Sequence, residues 1–340
     1  MGFILDKISA DKFLSGLKDE YYIFAPKRFE LGGIYSDTDA IRYSEINSFD
    51  EIVFDEKSQY SFKETILQIS QTIFYFTEDQ IKEPNFTCRQ KKALIFLRNC
   101  DLHGLKRLDD MYLNNGPEDY YYKKLRDAAE FVVMGCENSF ENCFCVSMGT
   151  NQSDAYDLSI DKQEDKYLIT CKNSKLNNIL LKAGASSSDV VPKFVTSNNI
   201  QVNIPDNLSN DVATSKIWDE YDVRCIACGR CNFVCPTCTC FTMQDIFYTE
   251  NGKVGERRRV WASCMIDGFT DMAGGHSYRV KKGQRMRYKV LHKVLNHKKR
   301  HGEQMCVGCG RCDDICPEYI SFSNSINKLE NAMKEVTSNE

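Results

Sequence analysis

Cysteine carries the visible chemistry of this sequence. Two runs, CIACGRCNFVCP at 225–236 and CVGCGRCDDICP at 306–317, repeat the spacing C-x2-C-x2-C-x3-C-P and agree at seven of twelve positions. Three thiolates at two-residue steps on a curling loop each reach a different iron of one cube. The fourth, followed by proline, points away from its own loop toward the cube of the other run. The spacing therefore assigns Cys225, Cys228, Cys231 and Cys316 to one [4Fe–4S] cluster and Cys306, Cys309, Cys312 and Cys235 to a second. Gly229 and Gly310 are expected to let the backbone approach the cubes, with peptide N–H groups near the cluster sulfurs. Cubes that exchange ligands lie side by side, as an electron wire requires, so residues 236–305 must loop out and return. Zinc knuckles are satisfied by paired C-x2-C steps and need neither the third step nor the duplicated CP. A dithiol redox motif wants a βαβ context that surrounds neither run.

Eleven of the 17 cysteines fall between Cys225 and Cys316. Dense, patterned thiols in a chain expected to be cytosolic point to metal rather than disulfides. Beyond the eight motif cysteines, Cys238, Cys240 and Cys264 follow the first run, and Cys136, Cys143 and Cys145 stand in GCENSFENCFC. Two C-x-C pairs with nearby thiols are candidates for a third iron–sulfur cluster at a domain interface, from Cys143, Cys145, Cys238, Cys240 and Cys264. The alternative is small, buried, inert cysteines; the isolated Cys88, Cys100 and Cys171 are expected to be core or surface cysteines.

Four of the five histidines, His276, His292, His297 and His301, lie in or beside the segment between the runs. No histidine pair with a carboxylate marks a catalytic zinc, and His297 and His301 read as solvated on a basic helix face. No GxGxxG follows a strand and no GxxxxGK[ST] occurs, so no dinucleotide or P-loop site is visible and no catalytic residue is assigned. Substrate chemistry is then expected on partner subunits.

Residues 253–301 hold 14 Lys/Arg against 3 Asp/Glu, while the whole chain is −4. A basic segment of this kind, with Arg257–Arg258–Arg259, Tyr278 and Tyr288, is compatible with phosphate contact. Docking of an acidic redox partner, or compensation of anionic cubes, is the favoured reading.

The elements that hold these residues follow from periodicity. Residues 21–26, 94–97 and 131–133 are strand-like, 102–113 is helical with Asp101 as N-cap, and 156–160 with 167–171 suggests a hairpin. Met286, Val290, Leu291, Val294 and Leu295 share one helical face, as do Phe322, Ile326, Leu329 and Met333. The fold expected is α+β: a mixed α/β N-terminal domain (1–215, a scaffold for subunit contacts), then a mostly α-helical two-cluster ferredoxin domain (216–340) with a long basic insertion. The composition is ordinary for a globular chain, at 42% hydrophobic and 27% charged. No apolar run reaches the length of a membrane span, and the first residues lack a secretory pattern, so a soluble, cytoplasmic protein is expected.

The chain resembles a known family, the iron–sulfur electron-transfer subunits of anaerobic sulfite reductases. The resemblance rests on YSDTD (35–39), DEKS (55–58), SFENCFCVSMGTN (139–151), CPTCTC (235–240), WASC (261–264), DMAGGH (271–276) and MCVGCGRCDD (305–314). It implies a heteromeric complex in which this subunit passes electrons from a flavin- and NAD(P)H-binding subunit to a siroheme subunit that reduces sulfite to sulfide. It also sets Cys143, Cys145, Cys238, Cys240 and Cys264 in family-typical strings. The β subunits of cytoplasmic sulfhydrogenases, nickel–iron hydrogenase complexes, look similar in the CFC, CPTC and W-x-x-C elements and are the alternative. An iron–sulfur nucleic-acid-binding or regulatory protein is the alternative from another class.

Overall fold

The computed structural model describes residues 1–35, 37–84 and 89–338, so Ser36 of the YSDTD string and Cys88 lie outside the described residues. Two sheets take up twelve strands. In chain order these are β1 (Gly2–Asp6), β2 (Tyr21–Phe29), β3 (Ala40–Glu45), β4 (Ser70–Phe76), β5 (Ile81–Lys82) and β6 (Lys92–Arg98). They continue as β7 (Ala129–Met134), β8 (Leu158–Gln163), β9 (Lys166–Cys171), β10 (Ser186–Ser187), β11 (Phe241–Phe247) and β12 (Gly255–Trp261).

The larger sheet has the order β10-β1-β9-β8-β7-β6-β2-β3, with β2, β6, β7 and β8 running parallel. Parallel strands are covered on both faces, and residues 93–98 and 131–134 are accordingly buried without alternation. The period of two decides which face each side chain serves. Leu94 and Phe96 join a core with Phe13, Leu14 and Leu17 of helix Lys7–Leu17 and Leu176 and Leu180 of helix Ser174–Lys182. Ala93, Ile95 and Leu97 face the opposite way, onto Leu102, Leu105 and Leu108 of helix Asn99–Tyr112. The expected strands and the 158–171 hairpin are present. The helix after β6 starts earlier than expected, at Asn99, and Asp101 is not its cap. Its carboxylate instead accepts from the Arg98 backbone N–H at 3.4 Å and pairs with a distant arginine.

The C-terminal part departs from a mostly helical fold. Residues 241–261, which run into the start of the basic segment, form the β11–β12 hairpin, and β12 pairs antiparallel with β4, more than 150 residues earlier, giving a second sheet ordered β11-β12-β4-β5. A local helical pattern cannot register a strand whose partner is that far away. The three consecutive arginines are consumed in this sheet. Arg257 is bidentate to Asp245 at 2.6 and 2.7 Å, Arg258 pairs with Glu256, and Arg259 reaches Asp119 and Gln71. The expected helices follow. Met286, Val290, Leu291, Val294, Leu295, Phe322, Ile326 and Leu329 close one core around the motif cysteines. Among the described residues no helix is long and apolar enough to cross a membrane.

Residues on either side of position 215 are tied by more than the shared sheet. Arg311, 2% exposed, donates to both Asp101 oxygens at 2.8 and 3.1 Å and to the Ser58 carbonyl at 3.0 Å. Lys57 pairs with Asp314, and the Phe144 N–H donates to the Gly308 carbonyl at 2.8 Å. Breaking one partner of a buried pair strands the other charge, at a cost of roughly 3–5 kcal/mol. Asp101→Asn is therefore expected to lower the urea midpoint of the cluster-loaded protein markedly, while Asp50→Asn, in an exposed pair with Lys7, leaves it nearly unchanged. Equal midpoints for the two variants would show that the buried pair does not hold the second run in place.

Candidate metal centres

The two repeated runs fold alike. In each, a glycine in the left-handed region (Gly229, φ +76°; Gly310, φ +71°) opens a short helical turn, Arg230–Phe233 or Arg311–Asp314, that carries the third cysteine. A side chain at Gly229 would strike Ile266 and Ser263, and one at Gly310 would strike Asn142. These glycines therefore answer the close approach of neighbouring segments as well as their own turns.

The cysteines surround two adjoining cavities. One, of about 490 Å³, is lined by Cys225, Cys228, Cys231 and Cys316, with Cys312 on its wall. The other, of about 350 Å³, is lined by Cys235, Cys306, Cys309 and Cys312, with Cys231 on its wall. The fourth cysteine of each run thus lies with the first three of the other, and Cys231, Cys312, Lys289 and Phe322 border both spaces. Among the described residues, no three of these sulfurs come within 4.8 Å of one another, the closeness a single ion demands. Thiols spread around a hollow fit a cube whose ligands sit at separate corners.

Positive charge reaches these hollows from Lys289 and Lys293 of one helical stripe. Arg285, Lys289, Lys293 and His297, spaced by four, are all buried. The stripe runs from helix Lys282–Leu291 through a wider π turn at His292–Asn296 into helix His297–His301. Lys293 Nζ lies 3.3 Å from Cys235 Sγ and donates to Thr237 Oγ1 at 2.8 Å. Burial pulls the Lys289 and Lys293 ammonium groups toward neutrality, but thiolates outweigh it: Cys231 and Cys312 for Lys289, Cys235, Cys238 and Cys306 for Lys293. Lys63, also buried, holds the Cys238 carbonyl at 3.0 Å and sits over the Trp261 ring at 4.2 Å. Among the expectations for the basic segment, these contacts favour compensation of thiolate charge over phosphate binding.

The five cysteines grouped for a third site are divided. Cys143 and Cys145 line a separate cavity with Cys100 and Cys136. Cys240 and Cys264 instead flank the base of the β11–β12 hairpin, where the Ala262 N–H donates to the Cys240 carbonyl at 2.9 Å. A hydrogen bond from the Cys240 thiol, with a second from Asn232 Nδ2 at 3.1 Å, lowers the Cys264 thiol below its ordinary range despite its burial. Cys238 bonds to Cys235. The histidines also differ from expectation. His297 is 2% exposed, its Nδ1 bonded to the Glu303 carbonyl at 2.7 Å, and with Asp110 and His301 it brings three ligand atoms within 4.8 Å. His297 stands seven residues beyond Val290, the two-turn spacing of the buried face, so helical periodicity itself places it inward. Cys100 and the buried lysines escaped the sequence reading. Their signals are a cysteine two residues beyond a strand end and a cationic four-residue spacing inside an apolar helix face.

Comparison with known proteins bears on what fills the cavities. Residues 224–320 match the family model described as a 4Fe-4S dicluster domain. The chain is 29% identical over 339 residues to sulfhydrogenase 2 subunit beta of Pyrococcus furiosus, covering 93% of this chain and 98% of that one. The chain is an iron–sulfur electron-transfer protein with two [4Fe–4S] clusters. A shorter likeness, 20% over 126 residues, links 36% of the chain to 24% of the F420-dependent formate dehydrogenase subunit beta of Methanocaldococcus jannaschii. No solved structure gives a significant match.

A cation near a cluster stabilises its reduced, more negative state. A unit charge at a separation of roughly 10 Å and an effective dielectric of about 20 contributes about 1.7 kcal/mol, or roughly 70 mV for one electron. Lys293→Met is expected to lower at least one cluster potential by that order in an EPR-monitored redox titration. A potential that stays put or rises would remove the lysine stripe from the tuning of the clusters.

Proposed function

We propose that the chain is the relay subunit of a multisubunit oxidoreductase of the sulfhydrogenase type. In this reading it is flanked by a flavin- and NAD(P)H-binding subunit on one side and by one bearing the terminal catalytic metal on the other. The observation that carries the reading is the match, along nearly the full length of both chains, to a sulfhydrogenase β subunit. That match favours the hydrogenase alternative over the sulfite reductase suggested by the sequence strings. Sulfite reduction remains the second reading, supported by SFENCFCVSMGTN, CPTCTC and WASC.

Within it, Cys225, Cys228, Cys231 and Cys316 hold one cube, and Cys235, Cys306, Cys309 and Cys312 hold the other, as the lining of the two cavities supports. When bound, the cubes supply one-electron carriers that make and break no bond. The chain's own residues do the rest. They fix eight thiolates, exclude water with Phe322, Met286 and Phe144, and balance charge with Lys289 and Lys293. Around the first cavity Cys228 is exposed, and Val223, Ile226 and Tyr319 present 87%, 55% and 87% of their surface, an apolar rim suited to a docked subunit. Residues 1–215 supply the scaffold for subunit contacts, and residues 216–340 carry the clusters.

Two experiments test this reading. Cys316→Ser is expected to strip the cluster associated with the first run while leaving the one at Cys306 and Cys309, and Cys235→Ser the reverse. Iron loss confined to each mutated run's own loop would contradict the exchange of ligands. For the assembly, the tagged chain isolated without oxygen with its bound subunits is expected to carry flavin and nickel. Siroheme without nickel would move it to sulfite reduction.

A further inference from the structure

Four of the five described cysteines N-terminal to the first run converge on one hollow. Cys100 opens the helix that follows β6, Cys136 lies two residues beyond β7, and Cys143 and Cys145 come from the loop that packs onto the second run. Their cavity is also lined by Lys57, Arg98 and Cys309. The parallel strands explain the convergence, because ligands of open α/β sheets gather beyond the carboxyl ends of adjacent strands. Neither a disulfide nor a regular spacing announces the site, since its ligands come from three separate segments.

From this geometry we infer that Cys100, Cys136, Cys143 and Cys145 hold a third iron–sulfur cube. A single zinc ion needs four sulfurs about 2.3 Å from one centre. Among the described residues no three of these four sulfurs approach within 4.8 Å of one another, as is also true of the motif sets that hold cubes. The surroundings suit an anionic cluster. Lys57, its side chain 11% exposed, places Nζ 3.9 Å from Cys143 Sγ and 3.0 Å from the Cys309 carbonyl. Asn198 Nδ2 lies 3.7 Å from Cys145 Sγ and 2.8 Å from Ser139 Oγ. Arg98, 5% exposed, lines the same space and donates to the Gly135 carbonyl at 2.6 Å. Loading exchanges four thiol protons for a preformed Fe4S4 core, with no oxidant or reductant required.

The position gives the cube a use. Cys309 borders both the second motif cavity and this one, so the three hollows form a series with shared walls. Beyond it, Arg98, Cys136, Asn138 and Phe140 also border an open cleft of about 980 Å³ at the carboxyl end of the large sheet. Electrons held at the second motif cluster thereby gain a route to the surface distinct from the exposed Cys228. That use rests on the relay reading; the binding itself does not, and is measured separately.

The test is metal content of the whole chain, purified anaerobically and reconstituted to saturation with sulfide and an equimolar mixture of ferrous and ferric iron, which supplies the mixed-valence core without a further oxidant. Wild type is expected to hold about 12 irons and about 12 acid-labile sulfides per chain, against about 8 for two cubes. The double variant Cys136→Ser/Cys143→Ser is expected to fall to about 8 while the EPR signals of the two motif clusters persist, which also shows that the variant has folded. If it fails to fold, Cys100→Ser carries the same expectation. Cys171→Ser, buried in the sheet core, should stay at about 12 and serves as the control. Saturation of wild type near 8, retention of about 12 by the variants, or one tightly held zinc lost on mutation would each overturn the inference. Failure of the relay reading alone would instead show as full iron loading with no redox subunit bound.

Discussion

Negative charge in a dry interior is the constraint on which this structure depends. A cube held by four thiolates is anionic, and an uncompensated charge of that kind is prohibitively costly away from water. The chain meets the cost with two buried cationic side chains, Lys289 and Lys293, turned inward from the segment richest in positive charge. On the second run's outer side, Arg311 is held by Asp101, and Lys57 by Asp314 and the Cys309 carbonyl. The basic segment therefore gives its buried lysines to the clusters and its arginine run to the carboxylates of Asp245, Glu256 and Asp119.

What was legible in the sequence is what local spacing encodes. The C-x2-C-x2-C-x3-C-P runs, the strands at 94–97 and 131–133, and the apolar faces of the helices near 290 and 326 need no distant information. The β11–β12 hairpin was hidden because its partner β4 lies far upstream and its central Arg257–Arg258–Arg259 mimics a solvated basic patch. His297 was misplaced because the basic run beside it, Lys298 to Arg300, reads as a solvated face, although its spacing of seven from Val290 puts it on the buried one. Cys100 looked isolated because its neighbours in space come from β7 and the 143–145 loop, which the sheet alone brings together.

The functional strings show a related limit. ENCFC meets the second run through Phe144 and Asn142, while CPTCTC and WASC build the base of the hairpin beside Cys235. Residues with such work shape the cluster chamber whatever the chain docks to, so they do not by themselves separate a sulfite reductase subunit from a sulfhydrogenase one. The match to a sulfhydrogenase β subunit runs along 93% of the chain, well beyond these strings.

The central claim is that the motif clusters occupy adjoining chambers and act as one wire. The most direct measurement is EPR of the isolated chain during stepwise reduction. Adjacent cubes predict that the signal of the first-reduced cluster broadens and splits as its neighbour takes an electron, through coupling of the two spins. Signals that simply add, unchanged in shape, would place the clusters apart and contradict the account.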